Sequence, residues 1–185
     1  YQLLKDHPVN LDRIKRGLRP ANSAWFWGEG VKKNLALFKD RYGLKAPMIS
    51  AVELLKGIGK LSRMNVVNAK GATGYIDTDF SGKAQAAIDE FKSGSDFVYI
   101  HVEAPDECGH RNEVANKVRA IELIDEKILA PVEEALKKMG DYKIMILPDH
   151  PTPLSLRTHT NDPVPYLIYD SRKDAAGTDI FCEES

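Results

Sequence analysis

Short apolar runs alternate with helix-patterned stretches along this chain, and this order restricts its fold more than any other feature of the sequence. The apolar runs fall at 46–49, 64–67, 97–102, 143–147 and 166–169, each short enough for one buried strand. Between them, 31–42 carries Val31, Leu35, Leu37 and Phe38 at helical spacing and stops at Gly43. Ser50 followed by Glu53 forms a capping-box pattern for a helix reaching Gly57 or Gly59. The spacing predicts further helices over 81–91 and from Asn112 to Gly140, the latter bent at Pro131. Strands alternating with helices predict a layered α/β/α core with a mostly parallel sheet and right-handed crossovers.

The chain's 185 residues, 43% of them hydrophobic, suffice for one sizeable core. With 26 basic and 27 acidic residues there is no global field to attract nucleic acid or an anionic membrane, so neither is expected as a partner. No apolar run approaches the ~20 residues of a bilayer span, and the start does not read as a signal peptide. Cys108 and Cys182 form no disulfide framework, which favours a reducing cytoplasm. Residues 1–20, with Pro8, Gly17 and Pro20, read as a connection or the remnant of an inserted lid, and 21–185 as the catalytic-core part. Tyr1 in first place and the polar tail give both ends the look of cuts.

The chemistry concentrates after two of the strand candidates. Asp106 and His110 follow 97–102, and Asp149 and His150 follow 143–147, so both groups leave the sheet at strand carboxyl ends, where open α/β sheets bind ligands. His159 lies further along the second loop, flanked by Thr158 and Thr160, which are placed to orient its ring. Carboxylates and neutral imidazoles suit divalent ions such as zinc or manganese. A spacing of four brings Asp106 and His110 to one face, and Gly109 permits a tight backbone path. Asp149 and His150 are adjacent and project differently, which suits two nearby ions better than one. Two such ions facing only two carboxylates would keep about two positive charges uncompensated, and a phosphate group is the natural remaining anion. Arg157, Lys83 and Arg19 are candidate phosphate holders, and His101 and Glu103 candidate supports for the ligands. Trp25 and Trp27 flank Phe26 and read as packing residues. The run from Gly71 to Gly74 lacks the Gly-Lys-Ser/Thr ending of a phosphate loop, and a nucleophile elbow is missing as well.

The stretch H-V-E-A-P-D-E-C-G-H from His101, the segment K-V-R-A-I-E-L-I-D, and P-D-H-P-T-P-L-S-L-R-T-H-T-N-D-P-V-P from Pro148 resemble the archaeal-type cofactor-independent phosphoglycerate mutases of the alkaline phosphatase superfamily. So do A-N-S-A-W-F-W-G from Ala21, I-S-A-V-E-L-L-K-G-I-G from Ile49 and G-A-T-G-Y from Gly71, and the resemblance covers most of the chain. It implies an alkaline-phosphatase-like fold, with Asp106, His110 and His159 on one ion and Asp149 and His150 on the other. It also implies manganese, zinc, magnesium or cobalt as the metal, no requirement for 2,3-bisphosphoglycerate, and a small phosphorylated substrate. Transfer between the 2- and 3-positions of phosphoglycerate would pass through a phosphoserine, serving glycolysis and gluconeogenesis.

In the family, the serine and one further metal-binding aspartate come from a segment before the inserted lid. Ser23, Ser50 and Ser62 sit in no comparable motif, so this chain is expected to be inactive alone and to need the N-terminal part of the same protein. Cys108 stands where the family has a small residue, which raises thiol interference as an expectation. Alternatives are a homoserine kinase-like phosphotransferase, a phosphate-ester hydrolase of the same superfamily, and a non-catalytic metal-binding domain.

Overall fold

A computed structural model describes residues 1–26, 28–31, 33–173, 177 and 180–183, so Trp27 lies outside the described residues. Two compact units divide the chain, residues 1–34 and 35–185. The first holds α1 (Pro8–Lys15), started by Pro8 and by the His7 ring, which accepts from the Val9 amide. Its buried centre is polar: the Asn10 side-chain amide donates to the Leu4 and Ala21 carbonyls and its oxygen accepts from Ala21 N–H. The apolar side chains Val9, Leu11, Ile14 and Leu18 are exposed, so a hydrogen-bonded asparagine rather than a hydrophobic core ties this unit together.

The second unit carries the layered α/β arrangement. Its parallel sheet has the order β2-β1-β3, built from β1 (Pro47–Ile49), β2 (Asn65–Val67) and β3 (Tyr99–Ile100). Central β1 pairs Ile49 with Val67 on one side and Ile100 on the other. Every β1 residue is buried, as expected of a central parallel strand. A second sheet pairs β4 (Lys143–Ile146) with β5 (Leu167–Asp170) antiparallel, Ile144 opposite Tyr169. Helix α4 (Phe80–Lys92) lays Phe80, Ala84, Ala87 and Ile88 on the core as one stripe of period 3.6. Asp79 caps it, its carboxylate accepting from Gly82 N–H at 2.8 Å. These side chains meet Ile49, Ala104, Ala120, Ile128, Val132 and Leu136 in one cluster. Truncating fully buried Ile49 to alanine would cost about 2–5 kcal/mol, because a packed interior only partly refills a cavity.

Several elements differ from their sequence expectation for identifiable reasons. The helix expected over 31–42 is only α2 (Phe38–Tyr42). Val31 is exposed and buries no face, whereas Phe38 stacks on Phe97 at 5.7 Å, so packing anchors only the last turn. Gly43 ends it in the left-handed conformation, as its position suggested. Helix α3 (Glu53–Leu61) is capped at Val52, not Ser50, and runs past both glycines. Gly59 is a packing residue: a Cβ there would lie 3.0 Å from Val66 and 3.1 Å from the Met48 sulfur.

The segment holding Asp106 is helix α5 (Ala104–His110), not a loop. Asn112 does not begin the next helix but closes α5, at φ 57°, and α6 (Val114–Ile124) follows. A π-helical turn, Asp125–Leu129, separates α6 from α7 (Ala130–Lys137). This widened turn stands where Pro131 removes an amide donor, which is where the sequence placed a bend. No described helix is long and apolar enough to cross a membrane.

Candidate metal centre

Two segments bring the candidate ligands together. Helix α5 follows β3 after the three residues 101–103, has Pro105 in its first turn and presents Asp106 and His110, four residues apart, on one face. The loop after β4 supplies Asp149, His150 and His159. A turn in which Leu156 and Arg157 donate to the Pro153 carbonyl folds this loop back, and Thr160 N–H closes it on the Pro151 carbonyl at 3.2 Å. Arg157 takes a left-handed conformation, φ 56°, at the reversal. His159 therefore returns to His150, ring centres 3.7 Å apart.

The helix and the loop meet at their polar atoms. Asp106 Oδ2 is 3.3 Å from His110 Nε2, Asp106 Oδ1 is 3.2 Å from His159 Nε2, and the two histidine Nε2 atoms are 3.1 Å apart. Ligand atoms of Asp106, His150 and His159 also lie within 4.8 Å of one another. Asp149 is more exposed, its carboxylate 3.5 Å from His150 Nε2. His150 thus stands between Asp149 and the Asp106–His159 group, and the five donors form one continuous patch.

Hydrogen bonding fixes which nitrogen of His110 is available. Its Nδ1 is 2.9 Å from the Arg157 carbonyl, which can only accept, so Nδ1 carries the proton and the neutral ring keeps its lone pair on Nε2. That lone pair faces Asp106 and His159. A clustered carboxylate and imidazole nitrogens, one with its outer nitrogen already engaged, match the donors of a divalent cation. Carboxylate oxygens of Glu103, Glu107 and Asp106 lie within 4.8 Å of one another and add negative charge. Burial, then the Glu107 and Asp106 charges, push the Glu103 carboxyl above its usual range.

The other candidates have more specific places than their residue types announced. Lys83 on α4 is fully buried, its Nζ 3.4 Å from the His101 carbonyl, and burial lowers its ammonium to about 8 against the opposing pull of Glu103. His101 is lowered by burial and partly restored by Asp149, and its Nδ1 is 3.3 Å from Ser50 Oγ. These residues form a layer beneath the patch. Arg157 meets the patch through its carbonyl rather than its guanidinium. Arg19 lies in the first unit, where its carbonyl accepts from Arg13.

Thr160, expected to orient His159, has its hydroxyl buried with no hydrogen-bond partner among the described residues. Cys108 is wholly buried, and burial raises its thiol, so the expected interference from a reactive thiolate has no basis. Cys108 is in no disulfide. Sequence reasoning missed Thr152 and Lys117, whose types carry no metal signal. Gly109, read as permitting a tight backbone path, is a point of close approach: a Cβ would lie 2.6 Å from the Thr152 carbonyl.

Known proteins share this arrangement of chain. The chain matches the metalloenzyme superfamily over residues 5–184. It is 46% identical over 184 residues to a Methanothrix thermoacetophila protein named 2,3-bisphosphoglycerate-independent phosphoglycerate mutase, covering 99% of this chain and 47% of that protein. A protein of the same name from Methanosarcina acetivorans is 47% identical over 187 residues, covering 99% and 46%. The chain therefore spans about half the length of these relatives. A solved Pyrococcus horikoshii structure matches with TM-score 0.79 at 31% identity, covering 99% of this chain and 48% of that one. The cofactor-independent phosphoglycerate mutase from Thermoplasma acidophilum matches with TM-score 0.58 at 27% identity, covering 98% and 42%. With its fold alkaline-phosphatase-like, this chain belongs to the metalloenzyme superfamily.

Proposed function

We propose that this chain is the metal-holding part of a 2,3-bisphosphoglycerate-independent phosphoglycerate mutase. The observation that carries the reading is the meeting of Asp106, His110 and His159 at 3.1–3.3 Å, beside His150 and Asp149, in a chain so similar to proteins of that name. Asp106, His110 and His159 would hold one divalent ion, and Asp149 and His150 would contribute to a second, drawn from manganese, zinc, magnesium or cobalt. Bound there, such ions supply positive charge that stabilises a transferring phosphoryl group and favours an ionised hydroxyl.

The chain's own residues perform the holding and orienting. Arg157 gives a backbone carbonyl that keeps His110 in the required tautomer, while α5 sets Asp106 and His110 at fixed spacing. Lys83, a candidate for compensating the phosphate's charge, lies fully buried below the ligand patch and would act through its field rather than by contact. Arg157 remains a candidate for the substrate's anionic groups. The phosphoryl-accepting serine is assigned to the part of the longer protein outside this chain, which makes that part the partner that completes the site. Neither the reaction nor its substrate calls for 2,3-bisphosphoglycerate.

The test compares this chain with a full-length protein containing it. The full-length protein should convert 3-phosphoglycerate to 2-phosphoglycerate without 2,3-bisphosphoglycerate, lose that activity to a chelator, and recover it with manganese or cobalt. The chain alone should give no turnover. Isomerisation by the chain alone at the full-length rate would sink the assignment, and release of free phosphate in place of isomer would identify a hydrolase.

A further inference from the structure

Thr152 sits where the two halves of the patch join, and no chemistry of its own explains its burial. It is buried, yet its hydroxyl and carbonyl are both engaged by polar partners. Its Oγ1 lies 2.5 Å from Asp106 Oδ1 on α5 and 3.4 Å from Nδ1 of His150 on its own loop. Its carbonyl accepts from the Lys117 ammonium of α6 at 2.7 Å. Gly109 of α5 leaves the space for this contact, since a Cβ there would lie 2.6 Å from the Thr152 carbonyl and 3.1 Å from Lys117 Nζ.

The roles within this chain of contacts follow from counting hydrogens. A hydroxyl has one proton, and a carboxylate oxygen can only accept, so the Thr152 proton points to Asp106. Toward His150 the hydroxyl can then only accept, which requires the proton of the neutral ring to be on Nδ1. The lone pair is left on His150 Nε2, the atom nearest Asp149. One side chain thus sets the rotamer of a carboxylate on the helix and the tautomer of an imidazole on the loop.

We infer that Thr152, braced by Lys117, is the positioning residue that couples Asp106 and His150 and so presets one ligand of each of the two divalent-cation sites. The inference rests on the metal reading above, but it makes a claim about the metal-free protein that stands apart from it. Thr152 acts through the two residues it orients. The Arg157 carbonyl does the same for His110. Each of these two histidines is thereby held from its outer nitrogen, one by a backbone group and one by a side chain that mutation can remove.

The experiment uses this chain with Thr152→Val, Thr152→Ser and Lys117→Met. In the metal-free protein at about pH 8, where free imidazole is neutral, long-range proton–nitrogen correlation spectra read the His150 tautomer. Wild type and Thr152→Ser should show the proton on Nδ1. Thr152→Val, which keeps the shape but loses the hydroxyl, should show a mixture or the Nε2 form. Titration with cobalt(II), followed by its visible absorption, should then show about 10- to 100-fold weaker binding in Thr152→Val. Lys117→Met should fall between, and Thr152→Ser should bind as wild type does.

An unchanged His150 tautomer and unchanged cobalt affinity in Thr152→Val would overturn the inference, as would failure of Thr152→Ser to restore them. Wild type that binds no cobalt would defeat the metal reading instead, and the tautomer spectra would then decide the role of Thr152 by themselves.

Discussion

The two segments that build the metal patch are made in opposite ways. The α5 segment presents Asp106 and His110 from a regular helix, with side chains 24% and 33% exposed, over buried Lys83 and half-buried His101. The loop presents Asp149 and His159 from irregular backbone, 68% and 51% exposed, with order imposed by a few hydrogen bonds and prolines. A helix sets ligand spacing locally, through its 3.6-residue turn. The loop sets it only by docking on the helix, so its precision is borrowed through Thr152, Arg157 and the close approach at Gly109. Damage to the helix segment should therefore register in folding as well as in metal binding, and damage to the exposed loop in metal binding alone.

The largest expected effect probes the floor of the helix segment. Lys83 ionises at about 8 in the folded chain and at the ordinary 10.5 when unfolded. Between these values the native lysine is neutral while the unfolded one still holds its proton. Stability should therefore rise with pH across that window, by on the order of 3 kcal/mol in total. Lys83→Met has no such group, so denaturant unfolding of the two proteins as a function of pH should show the rise only in wild type. Parallel pH profiles would contradict the buried, depressed lysine.

Next in size, Gly109→Ala strikes the joint itself. Its methyl would meet the Thr152 carbonyl, a backbone atom that cannot swing aside. A cost of about 1–3 kcal/mol in urea unfolding, accompanied by weakened metal binding, is expected. A neutral Gly109→Ala would mean that the loop docks less closely than described. The smallest effect belongs to the exposed end of the loop: Asp149→Asn should alter unfolding free energy by less than about 0.5 kcal/mol, while reducing metal stoichiometry or affinity. A stability loss as large as that of Gly109→Ala would remove the contrast between the two segments.

The same contrast explains what was legible in the sequence. The alternation of strands and helices, the stripe on α4 and the i, i+4 pairing of Asp106 with His110 are local patterns with local physical causes. The resemblance grouped His159 with Asp106 and His110, whereas the return of His159 to His150 depends on how the loop folds back, which spacing does not encode. Thr158 and Thr160 looked like orienting residues because they adjoin His159, yet the Thr160 hydroxyl has no partner among the described residues, and it is Thr152 that bonds to Asp106 and His150. Helix starts were misplaced for a related reason. Ser50 looks like a cap, but its hydroxyl accepts from Val52 N–H and reaches His101 across the sheet. Val31 and Leu35 have helical spacing without a buried surface to reward it. The antiparallel pairing of β4 with β5 also carries no mark in strands whose apolar runs read like the others.

The measurement that bears most directly on the central claim is calorimetric titration of this chain with zinc and manganese, repeated on His110→Ala and His159→Ala. The expected result is at least one specifically bound divalent ion, with affinity lost in both variants because each removes a donor from the same cluster, one on the helix and one on the loop. Binding that is absent from the wild-type chain, or that survives both substitutions unchanged, would contradict the assignment of Asp106, His110 and His159 to one metal centre.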